Sequence, residues 1–291
     1  MYELVKIGEN TYYIDCPSKI GIYKSGDSVY LIDSGEDKDI GRKIYDILQH
    51  NKWDLAGIIN THSNIDHVAG NKYLQDRTGC DIISTRIENV FIEKPMLEFS
   101  FAYGGYPISS LISKVIPTEI SKPTKSIDMG LPRGLEAIRL PGHHFDMIGI
   151  RTSDNVFFVA DSLVSEEMLS KYHIIFIYDV KAFLETLDML ERVEARMIIP
   201  SHAEAVSDIG PLVRANRNKV IDIIEFILKI CKKNQTFEDV LKGVMDNYNR
   251  HLNFIQYCLV GSTVKSYLTY LYDQEKLDCV FKENKMYWVV K

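Results

Sequence analysis

NTHSNIDHVAGN, running from Asn60 to Asn71, is the stretch on which the fold turns. It sets His62, Asp66 and His67 at the spacing of a metal-binding run, H-x-H-x-D-H, but holds Asn64 where the second histidine would stand. Imidazole and carboxylate are the side chains that bind zinc and similar divalent ions, so three of four ligand positions are intact. The run follows LAGIIN (Leu55 to Asn60), a short apolar segment that reads as a buried strand, so His62 is expected where a strand opens into a loop.

The same arrangement recurs along the chain. His143 and His144 follow LEAIRLPG, Asp161 ends NVFFVAD, and His202 ends ARMIIPSH. Four expected strand ends thus each deliver a metal-binding type of residue. Of the adjacent pair, the PGH register selects His143 and leaves His144 as a loop or pocket residue. His50, His173 and His251 fall outside these motifs and read as surface or packing residues.

Around the motifs, YELVKI, TYYID, IGIYKS and SVYLIDSG read as strands, and Ile40, Ile44, Ile47 and Leu48 recur at helical spacing. One short helix is expected over Asp66 to Arg77, a strand over CDIIST, and a helix that carries Phe183, Leu184, Leu187 and Leu190 on one side. This alternation predicts a layered α/β domain over residues 1–210. Inside it, residues 93–125 are expected to form an irregular insertion. Its aromatic side chains Phe99, Phe101, Tyr103 and Tyr106 are candidates for a substrate loop.

Residues 211–291 read as a separate unit. Three amphipathic segments, the second opened by Thr236 and Asp239 at capping-box spacing, precede two short strands around Glu283 and Asn284. Helices followed by a small hairpin predict a winged-helix-like domain. This unit carries 13 basic and 9 acidic residues, a balance of +4, whereas the rest carries 21 and 31, a balance of −10, within a chain of 291 residues and net charge −6. No apolar run is long enough to span a bilayer, and MYELVKIGEN lacks the basic start and apolar stretch of a signal peptide. The five cysteines are scattered and never in C-x-x-C spacing, which argues against a disulfide framework and fits a cytoplasmic protein.

In this order, DSG (Asp33), THSNIDH (His62 to His67), PGH (His143), AD (Asp161) and SH (His202) resemble the metallo-β-lactamase fold superfamily over about Tyr12 to Ala205. The resemblance implies an αββα sandwich with metals at one edge. It implies one metal position at His62, Asn64 and His143, and another at Asp66, His67, Asp161 and His202, with Asp161 reaching both and Asp33 orienting the ligands. The tail is similar to the winged-helix extension of some members, and the layout resembles the thioester-cleaving, glyoxalase-II-like branch.

An asparagine carbonyl is a weaker donor than imidazole, so one tightly held metal and one weaker metal are expected. Zinc is the default, with manganese or iron worth testing because of Asn64. The implied activity is hydrolysis of a small-molecule ester, thioester or lactone by a metal-bound hydroxide, with Asp66 and Asp161 orienting the water. One alternative is a metal-dependent ribonuclease or phosphodiesterase whose tail grips the strand, although the acidic catalytic part repels phosphate. The other is a metal-binding sensor or non-catalytic regulator. No membrane partner is expected, and a homo-oligomer is compatible with the apolar helices of the tail.

Overall fold

A computed structural model describes residues 2–109, 112, 116 and 119–291. Seven strands form the first sheet in chain order: β1 (Glu3–Lys6), β2 (Thr11–Asp15), β3 (Ile20–Ser25), β4 (Ser28–Ile32), β5 (Asp54–Ile59), β6 (Asp81–Ser84) and β7 (Lys125–Ser126). The pairs from β1 to β4 are antiparallel, and those from β4 to β7 are parallel. The second sheet has the order β11 (Met197–His202), β10 (Val156–Val164), β9 (Ile148–Thr152) and β8 (Leu135–Arg139).

Strand alternation builds the layers, because successive side chains point to opposite faces. In β4, Val29 and Leu31 join Ile40, Ile44 and Leu48 of the helix Lys38–Asn51, while Ile32 faces the second sheet. In β10, Val156 and Phe158 face the first sheet, while Phe157 and Val159 pack outward with Phe183 and Leu187 of the helix Val180–Leu190. The result is helix, sheet, sheet, helix: the expected αββα sandwich. All nine residues of β10 are buried. Truncating Phe157 to alanine in such a core typically costs about 3–5 kcal/mol.

The C-terminal region has helices Gly210–Ile230, Phe237–Asn247 and Phe254–Asp273, then the hairpin β12 (Leu277–Lys282) and β13 (Lys285–Val290). Thr236 with Asp239, and Asn253 with Gln256, close full capping boxes, so these two helix starts are set by local hydrogen bonding. Glu283 and Asn284 both take positive φ, as a type I′ hairpin turn requires. Val213, Val240, Leu268 and Leu277 share one apolar cluster with Phe157 and Phe183, so the core runs without a break across residue 210.

Three local expectations need correction. The single helix over Asp66 to Arg77 is two, Ile65–Val68 and Asn71–Thr78. Between them Gly70 lies against Ser34, where a Cβ would stand 2.3 Å from the Ser34 carbonyl oxygen. The insertion over 93–125 is not irregular throughout, because Met96–Tyr103 is a helix. Its Phe99 and Ala102 pack with Cys258, Ile255 and Leu259, contacts too distant in sequence to be read locally. Ser110, Leu111, Ser113–Val115, Pro117 and Thr118 of that insertion lie outside the described residues. Finally, Asp161 does not end its strand. β10 continues to Val164 through a register shift at Ala160, whose φ of 50° is costly for a residue with a Cβ.

Candidate metal centre

Asp33 follows β4 in a left-handed conformation with φ 64°. Its Oδ1 accepts the Thr61 amide at 2.8 Å, and its Oδ2 accepts the Thr61 hydroxyl and His67 Nδ1, both at 2.8 Å. One buried carboxylate therefore ties the end of β5 to the helix that carries His67. With its proton given to Asp33, the Thr61 hydroxyl oxygen accepts His62 Nδ1 at 3.0 Å. His143 Nδ1 donates to the Phe176 carbonyl at 2.9 Å, and His202 Nδ1 donates to the Pro17 carbonyl at 3.0 Å.

All four imidazoles are thus held by an Nδ1–H bond and turn Nε2 inward, the arrangement in which an outer partner fixes ring and tautomer for metal binding. Asp66, His67, Asp161 and His202 bring ligand atoms within 4.8 Å of one another, and so do His62, His143 and Asp161. Asp161 belongs to both groups. His202 Nε2 lies 3.2 Å from both Asp66 Oδ2 and Asp161 Oδ2, and His67 Nε2 lies 3.2 Å from Asp161 Oδ1. His62 Nε2 and Asn64 Oδ1 are buried without a hydrogen-bond partner among the described residues, and Asp161 Oδ1 has only His67 Nε2 beside it. Buried acceptors facing one another in this way fit a divalent cation.

The two groups differ in protonation. Burial would lower His67 and His202, but Asp161 and Asp66 carry His67 well above the usual imidazole range and His202 up to about 10. Against burial, His67 and His202 hold Asp66 and Asp161 well below the usual carboxylate range. Burial dominates on the other side, lowering His62 well below its usual value and His143 to about 4.

Asn64 is brought to the centre with the other candidates. Its amide nitrogen lies 3.2 Å from His143 Nε2, so the NH₂ group donates to the lone pair that a metal would use. His144 is buried and held at 2.9 Å by Glu88, a carboxylate that also receives the amides of Ser63 and Asp146. Local sequence hides this role, because Glu88 stands three residues after the helix cap Thr85 and reads as a capping partner.

Two cavities flank the centre. One, of about 280 Å³, is bounded by Asn64, Asp66, His144, Phe91, Phe99 and Phe101. The other, of about 330 Å³, contains His143, Asp161 and His202. Phe176 and Leu259 border both. Of the four aromatic candidates, Phe99 and Phe101 border the first cavity, whereas Tyr103 and Tyr106 border neither. Tyr103 packs on Phe254 with ring centroids 5.8 Å apart, and Tyr106 is 79% exposed. Leu259 comes from the C-terminal region, a contribution that no local pattern announces.

The family profile described as Metallo-beta-lactamase superfamily matches residues 13–202, which include every one of these candidate ligands. The chain belongs to the metallo-beta-lactamase superfamily. Membership points to metal-dependent hydrolysis, and the two His/Asp groups here could hold the metal ions that such chemistry uses. Beta-lactamase-like protein 2 homolog from Drosophila melanogaster is 24% identical over 247 residues, covering 81% of this chain and 74% of its own.

A beta-lactamase domain protein from Burkholderia ambifaria superposes with a TM-score of 0.77 at 13% identity, covering 99% of this chain and 94% of its own. A metallo-beta-lactamase family protein from Thermus thermophilus gives 0.70 at 14%, covering 100% and 98%. The metallo-beta-lactamase from Pontibacter korlensis gives 0.55 at 14% and covers only 75% of this chain, although 98% of its own. The whole architecture, tail included, therefore has counterparts within the superfamily fold, while a quarter of it has none in the last protein. Among the described residues no helix is long and apolar enough to cross a membrane. All five cysteines are free.

Proposed function

We propose that this superfamily member hydrolyses small esters, thioesters or lactones. The observation that carries this reading is the placement of the ligand set between two largely apolar cavities, separated by Phe176 and Leu259. A substrate with an apolar group on each side of its scissile carbonyl fits that layout, and pockets of this kind bind small molecules. A bound divalent ion lowers the pKa of water and polarises a carbonyl oxygen.

The chain's own residues do the rest. Asp33 and Thr61 lock His67 and His62. Asp66, a third exposed at its side chain, stays ionised beside His67 and His202, so its carboxylate can hold a water by accepting its proton. Phe91, Phe99 and Phe101 give the first cavity an apolar aromatic wall.

The set Asp66, His67, Asp161 and His202 would hold one ion tightly, zinc by its nitrogen and carboxylate donors. The set His62, Asn64 and His143, with a share of Asp161, would hold a second ion weakly, because Asn64 already occupies His143 Nε2. The free cysteines support a reducing, cytoplasmic setting. The tail reads as a winged-helix-like module: the hairpin follows three helices, and a Gln235–Trp288 bridge adds a further short pairing to it. The apolar character of both cavities favours a small substrate over a polynucleotide.

The test is a substrate panel on protein reconstituted with zinc. Acyl 4-nitrophenyl esters, an acyl thioester, a γ-lactone and bis(4-nitrophenyl) phosphate would be compared, each with and without chelator. Chelator-sensitive turnover of the carbonyl substrates ahead of the phosphodiester is expected. Turnover of the phosphodiester alone would support the ribonuclease reading, and retained metal without any turnover would support the sensor.

A further inference from the structure

The second cavity is bordered by a charge that the hydrolytic chemistry does not use. Met168, Ile174, Ile175, Leu259 and Val260 make it apolar along its length, and Arg250 also borders it. Arg250 is half-buried and makes no ion pair and no side-chain hydrogen bond with the described residues. A guanidinium that is half out of water and unpaired keeps its donors free for an anionic group of a ligand.

Its position is built rather than loose. Asn249, with φ 50°, follows the end of the helix Phe237–Asn247, and the Arg250 amide returns to the Met245 carbonyl at 3.0 Å. Gln256 borders the same cavity, and its Oε1 is taken by the Asn253 amide, which leaves its NH₂ group to donate. Outside the cavity lining, Arg250 has Lys219 in its neighbourhood, and Asp222 lies near Tyr248. Lys219 lies 4.9 Å over the Tyr248 ring, and Tyr248 stacks on His173 with centroids 4.7 Å apart. Burial, then Lys219 and Arg250, lower the pKa of His173, which places Arg250 close to that ring. This spot belongs to a chain of net charge −6.

We propose that Arg250 reads a carboxylate at the far end of the substrate, so that the substrates are esters or thioesters whose one arm is an apolar chain ending in a carboxylate, the half-esters of dicarboxylic acids. The proposal rests on the hydrolase reading for the ester bond, but not for recognition of the carboxylate. A planar guanidinium pairs with both oxygens of a carboxylate, and the apolar residues that line the cavity it shares with His143, Asp161 and His202 would accommodate the intervening methylenes. Arg250 is in this account a residue of specificity. It touches the distal end of the substrate and not the reacting atoms.

Two measurements test this. First, kcat/KM for mono-4-nitrophenyl glutarate and adipate would be compared with that for 4-nitrophenyl pentanoate, in wild type, Arg250→Met and Arg250→Lys. Wild type should favour the anionic esters. Arg250→Met should cut that ratio about tenfold or more, through KM, and Arg250→Lys should restore part of it. Second, calorimetric binding of glutarate and adipate to the zinc-loaded protein should be lost in Arg250→Met and weakened in Gln256→Leu. Zinc content and thermal melting of each variant verify the fold.

An equal preference for neutral esters, or dicarboxylate binding that survives Arg250→Met, would overturn the proposal. So would tighter binding of an alkyl phosphate of the same length. If no ester is hydrolysed but Arg250-dependent dicarboxylate binding remains, recognition stands and only the hydrolase reading falls.

Discussion

His67 and His202 meet the carboxylates of Asp66 and Asp161 through contacts of 3.2–3.5 Å between imidazole Nε2 and carboxylate oxygens. On the other side of Asp161 the nearest imidazole, His143, stands 3.7 Å away with its lone pair already given a hydrogen bond by Asn64. The first set couples carboxylates to protonated histidines and is poised to exchange those protons for a cation. The second is buried, neutral and satisfied in part by its own amide. Two neighbouring positions built from similar residues can therefore differ in affinity because one neighbour is an asparagine and because charge is shared unequally.

The comparison breaks most completely at the shared residue. Asp161→Ala should remove metal from both positions and reduce hydrolysis to the level of chelated protein, as read by metal analysis and ester turnover. Persistence of one ion would mean that Asp161 does not join the two sets. Asp33→Asn comes next. It removes a charge that orders His67 directly and His62 through Thr61, so both positions should weaken by about 10- to 100-fold. A chelator titration that shows an effect on one position alone would contradict the Thr61 link.

Changing pH should separate the positions without mutation. His202, raised to about 10, and His67, held well above the usual imidazole range, must release protons when a cation binds, so affinity at their position should rise with pH between about 6 and 8. The gain is up to about tenfold per pH unit for each proton displaced. His62 and His143 are neutral over that range, since His143 titrates at about 4, so the other position should change little. Competition with a chelator at both pH values would measure this, and parallel slopes would remove the distinction. A smaller effect is expected from Glu88→Gln. It loosens His144 without touching a ligand, so KM for esters should shift several-fold while metal content stays constant.

Much of this was legible because it is local. The strands announce themselves by β-branched residues, the ligands stand near their ends, and Thr236 and Asp239 mark a helix start with a four-residue signal. What escaped the sequence is nonlocal. Glu88 looks like a cap and serves instead to hold His144, 56 residues on. The turn at Ala160 that aims Asp161 into the centre carries no glycine to betray it. The helix Met96–Tyr103 exists because the helix Phe254–Asp273 gives Phe99 and Ala102 something to pack on. Arg250 reaches its cavity only because the C-terminal helices share a core with the second sheet.

The most direct test of the inequality between the two positions is metal per chain in wild type and Asn64→His, after identical zinc loading and dialysis. The account predicts close to one zinc in wild type and close to two in the variant, because a histidine adds a nitrogen ligand and frees His143 Nε2. Two zinc ions retained by wild type, or an unchanged count in Asn64→His, would contradict it.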